Sequence, residues 1–194
     1  VVDFAQAPST ERILLSALGL FSSRGYEATS VREICEAAGV TKPTLYHFYR
    51  SKEGVYRALV EGAFEEFHQT LGRLLEEPGT AQERLRRVAR SYFEYARCRR
   101  ELMRFFLSLA YNPSTSAPHT DFVRLYEGIV ARIAACAEEA VASGEFEPGS
   151  TGVRMLVFMG ALGECVCGSL IAGHPALTSD LADDIVDSIV EGWK

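Results

Sequence analysis

Apolar residues recur at helical spacing along almost the whole chain, and no stretch alternates at period two for long. Between residues 9 and 24, Ile13, Leu14, Ala17, Leu18 and Phe21 form one stripe, which Ser9 or Thr10 is placed to cap and Gly25 to end. A shorter stripe follows in Val31, Ile34, Cys35 and Ala38. Ser30 and Glu33 stand three apart just before it and predict a capping box, while Gly39 supplies a left-handed stop. Thr41 is a second N-cap, and Pro43 falls in the first turn, where its missing N–H costs nothing. Beyond Ser51, the predicted cap of a fourth helix, breaks at Glu77-Pro78-Gly79, Asn112-Pro113, Ala117-Pro118, Glu147-Pro148-Gly149 and His174-Pro175 divide the pattern. Helices are expected near 51–76, 80–99, 101–111, 118–143, 150–172 and 178–193, so the predicted fold class is all-α.

Two short helices about a glycine turn, the second opening on small polar residues, have the layout of a helix-turn-helix; they also suit a plain helical corner. Charge favours the first. No acidic residue lies between Glu36 and Glu53, whereas Lys42, Arg50 and Lys52 are basic and Thr41, Thr44, Tyr46 and His47 can donate. Residues 1–56 hold six basic and six acidic side chains, so the net charge of −6 arises downstream. A locally positive stretch on an acidic chain suits docking on a short site more than coating of nucleic acid.

At 194 residues, 47% apolar and 24% charged, the composition is that of a globular protein with room for two domains. Five scattered cysteines, an odd number, make no disulfide framework. The longest apolar run, Met155 to Gly173, is interrupted by Glu164, and no basic-then-apolar leader opens the chain, so neither a membrane span nor a signal peptide is expected. Cys165 and Cys167 would stand about 200° apart on a helix, unsuited to one metal. No nucleophile, base and orienting group can be assembled. No metal site, cofactor or enzyme activity is expected.

The run from Ile13 to Lys52, with ILLSALGLF, RGYEATSVREI, AAGV, TLY and SKE in order, resembles the DNA-binding domain of the TetR family of bacterial transcriptional regulators. The resemblance covers about residues 9–60, a quarter of the chain. It implies a three-helix helix-turn-helix domain over 1–55, with the motif at about 30–49, and a helical ligand-binding and dimerisation domain over 56–194. By the family pattern, Lys42, Pro43 and Thr44 open the recognition helix and reach base edges, Lys42 toward guanine O6 and N7. Tyr46 and Lys52 correspond to phosphate clamps. Thr29, Ser30 and Thr41 would add hydroxyl or N–H contacts, and His47 would touch base or backbone. Leu45 and Tyr49 would turn inward against Ile34 and Val40. The chain departs from the pattern at Phe48-Tyr49, where the hydroxyl and the plain ring have exchanged places. One customary backbone contact is then missing, and the Tyr49 hydroxyl needs a partner if buried.

The resemblance implies an inducer site in the larger domain. Its aromatic supply favours an apolar or amphipathic ligand: Tyr92, Tyr95, Met103, Arg104 and Phe106 from one stretch, and Phe122, Tyr126, Met155, Phe158 and Met159 from later helices. Arg104 and Glu164 are the charges that could fix a polar end. On the last two helices the small residues Gly160 and Gly163 and an apolar face including Leu181, Ile185, Ile189 and Trp193 predict a four-helix interface in a homodimer. The expected protein is a cytoplasmic homodimeric repressor, released from a palindromic DNA operator by a small-molecule inducer. The alternatives are a helical small-molecule binder without specific DNA recognition and a regulator controlled by a partner protein or by thiol oxidation.

Overall fold

The computed structural model describes residues 7–111 and 122–194, and every regular element among them is a helix. In order these are α1 (Ser9–Arg24), α2 (Val31–Ala38), α3 (Lys42–Tyr49), α4 (Lys52–Glu76), α5 (Ala81–Cys98), α6 (Arg100–Tyr111), α7 (Phe122–Ala142), α8 (Thr151–Ile171) and α9 (Ser179–Glu191). The limits expected from sequence agree to about two residues; the expected start of α7 at 118 lies outside the described residues. The chain is all-α, an N-terminal helix-turn-helix followed by a helical body.

Two compact units form. The first holds α1 to α3, α4 as far as Phe64, and α6 from Glu101. The second holds the rest of α4, α5 and α7 to α9. The apolar stripe of α1 explains why the first unit reaches past residue 55. Ile13, Ala17, Leu18 and Phe21 are all buried, and Phe21 is covered by Tyr56 of α4 at 5.7 Å and Phe105 of α6 at 6.3 Å between ring centroids. Ser9 and Thr10 do not cap α1: the N-cap is Pro8, which makes no side-chain cap bond, and Ser9 is already helical.

In the second unit α5 lies along α9, and both meet α8. Ala182, Val186 and Val190 of α9 are fully buried on the inward side, and Arg86–Asp187 and Arg90–Asp183 ion pairs flank the seam. The Glu145 carboxylate accepts from the N–H groups of Ala81 and Gln82 and so satisfies the first turn of α5. Helix α8 is long and apolar enough to span a membrane by length and composition alone, despite Glu164. One face, with Met155, Phe158, Leu162 and Val166, is buried core; Val153, Leu156, Val157 and Ile171 are exposed.

Candidate nucleic-acid interface

Local chemistry shapes the motif as the sequence predicts. The Ser30 hydroxyl accepts from Glu33 N–H at 3.2 Å while Ser30 N–H donates to the Glu33 carboxylate at 2.8 Å, the reciprocal capping box. The Ser30 hydroxyl also donates to the Glu33 carboxylate at 2.7 Å, and this bond foremost, with that from Ser30 N–H, holds the Glu33 carboxyl below the usual range. Gly39 ends α2 at φ 61°, and its N–H bonds back to the Glu36 carbonyl. Thr41 caps α3 by accepting from Thr44 N–H at 3.3 Å, and the two hydroxyls share a further bond of 2.9 Å. Ile34, Cys35, Ala38 and Leu45 are buried, joining α2 and α3 to α1.

The corner between α3 and α4 is tighter than the sequence suggests. Arg50 takes φ 67°, outside the range a side chain prefers, and Gly54 approaches so closely that a Cβ there would lie 1.8 Å from the Tyr49 carbonyl oxygen. The Ser51 hydroxyl accepts from Gly54 N–H at 3.0 Å, as its predicted capping role requires. Tyr49 is half-buried, and its hydroxyl donates to the Thr10 carbonyl at 3.0 Å. Thus the hydroxyl moved inward by the Phe48-Tyr49 order has found its partner on α1.

Not all the expected contact residues face outward. Lys42, Pro43, Tyr46, His47 and Phe48 are exposed on α3, with Thr41 at its start and Thr44 half-exposed. The Phe48 ring stands edge-on to His47 at 5.0 Å. Two residues differ from expectation. Thr29 is 1% exposed, and its hydroxyl donates to the Gly25 carbonyl at 2.9 Å, so it closes the α1–α2 turn. Lys52 donates to the carbonyls of Tyr26 and Thr29, both at 2.8 Å, and lies over the Tyr26 ring. Burial pushes its ammonium pKa down. Lys52 is a tie between the start of α4 and the α1–α2 turn. Arg50, which the family pattern does not single out, is exposed at the end of α3 with its side chain uncommitted. Its basic charge was the one sequence signal for it.

The residues expected to line an inducer pocket fall in both units. Met103 is buried, Phe106 half-buried and Arg104 exposed in the first unit; the Phe122 side chain lies outside the described residues. In the second, Met155 and Phe158 are buried core, Met159 is half-buried and Tyr126 exposed. Phe67 has Tyr92 and Tyr95 edge-on at 6.0 and 5.6 Å. The Tyr95 hydroxyl oxygen is buried without a hydrogen-bond partner, and burial pushes its pKa up to about 12. Glu164 is exposed on the outer face of α8, away from the buried face of that helix.

Of the expected interface residues, Gly160 is exposed and Gly163 half-exposed, and apart from the adjacent backbone of α8 no atom lies within 4 Å of where either would carry a Cβ. Leu181, Ile185 and Ile189 are half-exposed on α9. Trp193 differs. It is 7% exposed, packs at 5.5 Å on Phe146, and stands beside the buried Arg154 guanidinium at 5.4 Å. The α7–α8 turn covers it within its own unit.

An exposed second helix, capped and braced by two others and followed by a helical body, has the geometry of a helix-turn-helix, whose second helix can enter a major groove. Residues 13–59 match the family model described as "Bacterial regulatory proteins, tetR family". The chain is 37% identical over 57 residues to the negative transcriptional regulator IcaR of the biofilm operon icaADBC in Staphylococcus epidermidis, covering 29% of this chain and 31% of that protein. It is 31% identical over 91 residues to the transcriptional activator FasR of Mycolicibacterium smegmatis, covering 45% and 42%. It therefore spans less than half the length of these curated relatives. Among solved structures, the fatty acid degradation regulator FadR of Bacillus halodurans superposes over 96% of this chain and 97% of its own, with TM-score 0.82 and 20% identity. FadR from Bacillus subtilis, in complex with stearoyl-CoA, superposes over 95% and 99%, with TM-score 0.77 and 19% identity. These likenesses show the fold along nearly the whole chain.

Proposed function

We propose that the chain is a DNA-binding transcriptional regulator that works as a homodimeric repressor on a palindromic operator and is released by a small amphipathic ligand held in its helical body. The observation that carries the reading is Lys42: it opens α3, is exposed, and has no acidic neighbour on that helix. A lysine at the start of a recognition helix can donate to guanine in the major groove, and Arg50 at its far end can neutralise a phosphate. Two-fold pairing supplies the second recognition helix, and the exposed apolar face of α8 supports that pairing. Operators would then carry half-sites one or more turns apart, about 34–36 Å per turn.

The ligand half of the reading rests on Tyr95. A buried hydroxyl without a partner costs about 1–3 kcal/mol, which a ligand carbonyl could recover. Beside Phe67 and Tyr92 it suits an apolar chain with a polar carbonyl, such as the acyl thioester held by the Bacillus subtilis neighbour. Ligand that favours one spacing of the recognition helices changes operator affinity by linkage, with a coupling of about 1–3 kcal/mol sufficient.

Selection of bound duplexes from a random DNA pool, repeated with Tyr46→Ala, tests the DNA half. Enrichment of a palindrome that the variant fails to enrich is expected. A folded dimer that enriches nothing would favour the second reading, a helical ligand binder without DNA recognition, which Phe48 supports by offering a bare ring where a phosphate contact is customary.

A further inference from the structure

Gly72 of α4 and Arg132 of α7 meet at short range. A Cβ on Gly72 would stand 2.9 Å from Arg132 Nη2 and 3.2 Å from Nη1. The missing side chain leaves a slot that the guanidinium fills, and Arg132 Nη1 donates to the His68 carbonyl at 3.2 Å. Gly128 of α7 makes room in turn for the His68 ring, whose Cε1 would lie 3.3 Å from a Cβ there. Arg132 is therefore held in place by backbone and by two glycines, which is more order than a solvated surface arginine requires.

Beside it lies a cleft of about 360 Å³, lined by Gln69, Gly72, Arg73, Glu76 and Arg132. Among the described residues, nine arginines have a carboxylate within 4.0 Å. Arg73 and Arg132 are not among them, although the chain carries an excess of acidic side chains. Arg73 Nη2 donates to the neutral Thr70 hydroxyl at 3.3 Å. Two guanidiniums thus share one cleft with donors to spare. A carboxylate has one edge of two oxygens to set against a guanidinium fork; a phosphate, with three or more oxygens, can present a separate edge to each of two guanidiniums.

We propose that this cleft binds a phosphate group through Arg73 and Arg132, with Glu76 at its edge opposing the anion. The group belongs either to free inorganic phosphate or pyrophosphate or to a phosphate ester on a larger organic ligand. The inference does not depend on operator release, because binding is read with no DNA present.

Titration calorimetry on the whole chain at constant ionic strength tests it, with pyrophosphate and adenosine 3′,5′-bisphosphate as probes. Saturable binding is expected, weakened at least about tenfold in Arg132→Gln and in Arg73→Gln and unchanged in Arg57→Gln, whose side chain pairs with Glu53 on the surface. Glu76→Gln should tighten it. Arg73 is exposed, so its variant folds even if loss of the Arg132 tether disturbs α7. Gly72→Ala, which keeps every charge but crowds Arg132, should weaken binding as well. Tighter binding of the bisphosphate identifies an organic phosphate ester, and tighter binding of pyrophosphate a free anion. No saturable binding of either probe, or equal weakening by Arg57→Gln, would overturn the proposal.

Discussion

The Lys52 ammonium stands 4.1 Å from the centre of the Tyr26 ring and donates to the Tyr26 carbonyl at 2.8 Å. A cation so placed is spent on the fold. Lys52→Ala leaves two carbonyls without their charged donor and is expected to destabilise the protein by about 1–3 kcal/mol, read as a lower denaturant midpoint. The salt slope of DNA binding should stay unchanged. Arg50→Ala should do the reverse, lowering that slope by about 1 with little change in stability. A reduced slope in Lys52→Ala would return it to the backbone contacts.

On α3 itself, sequence readout and phosphate contact should separate. Lys42→Ala is expected to relax preference at one operator position by about 1–3 kcal/mol while stability holds. Phe48→Tyr, on an exposed ring, adds a donor where the chain lacks one and should tighten binding to all duplexes a few-fold. Competition binding with single-base operator variants distinguishes the two. Uniform loss across all variants in Lys42→Ala would remove it from base readout.

The difference between Ser30 and Lys52 shows what the sequence could tell. Ser30 and Glu33 bond across three residues, so their capping box follows from local spacing, as do Gly39 and the Thr41 cap. Lys52 reaches carbonyls 23 and 26 residues away, and its direction depends on how α4 meets the α1–α2 turn. Thr29 bonds only four residues back, to the Gly25 carbonyl, yet its burial also depends on how the α1–α2 turn is covered. Periodicity likewise identified the apolar residues of α9 and just after it but not their partners: Trp193 is covered by Phe146, while the outer face of α8, with Leu156 75% exposed, is bare.

Acid should loosen the motif through Glu33. Its folded pKa lies below its ordinary value of 4.5, so the stability it contributes is present above that value and drains as pH falls through the folded one. Melting compared between about pH 7 and about pH 3 should show wild type losing its advantage over Glu33→Gln. A difference that stays constant would mean the cap does not depend on charge.

Tyr95→Phe removes the orphan hydroxyl and keeps the ring against Phe67. Stability should hold or rise by up to about 1 kcal/mol, because the donor lost had no partner. Release from DNA by an acyl thioester should need more ligand. Measured together, unfolding and operator release separate the two effects; a fall in stability with an unchanged ligand response would assign the hydroxyl to the fold.

Leu156 and Trp193 should part company in the same way. Leu156→Glu puts a charge on the exposed face of α8, where it costs the single chain little but cannot be buried against a second copy. The variant should sediment as a folded monomer and lose palindrome binding. Trp193→Ala instead empties a site already filled within the chain, costing about 3–5 kcal/mol with association retained at low temperature. If Leu156→Glu remained a dimer, the interface would lie on another face, and the open space over Gly160 and Gly163 would need a different occupant.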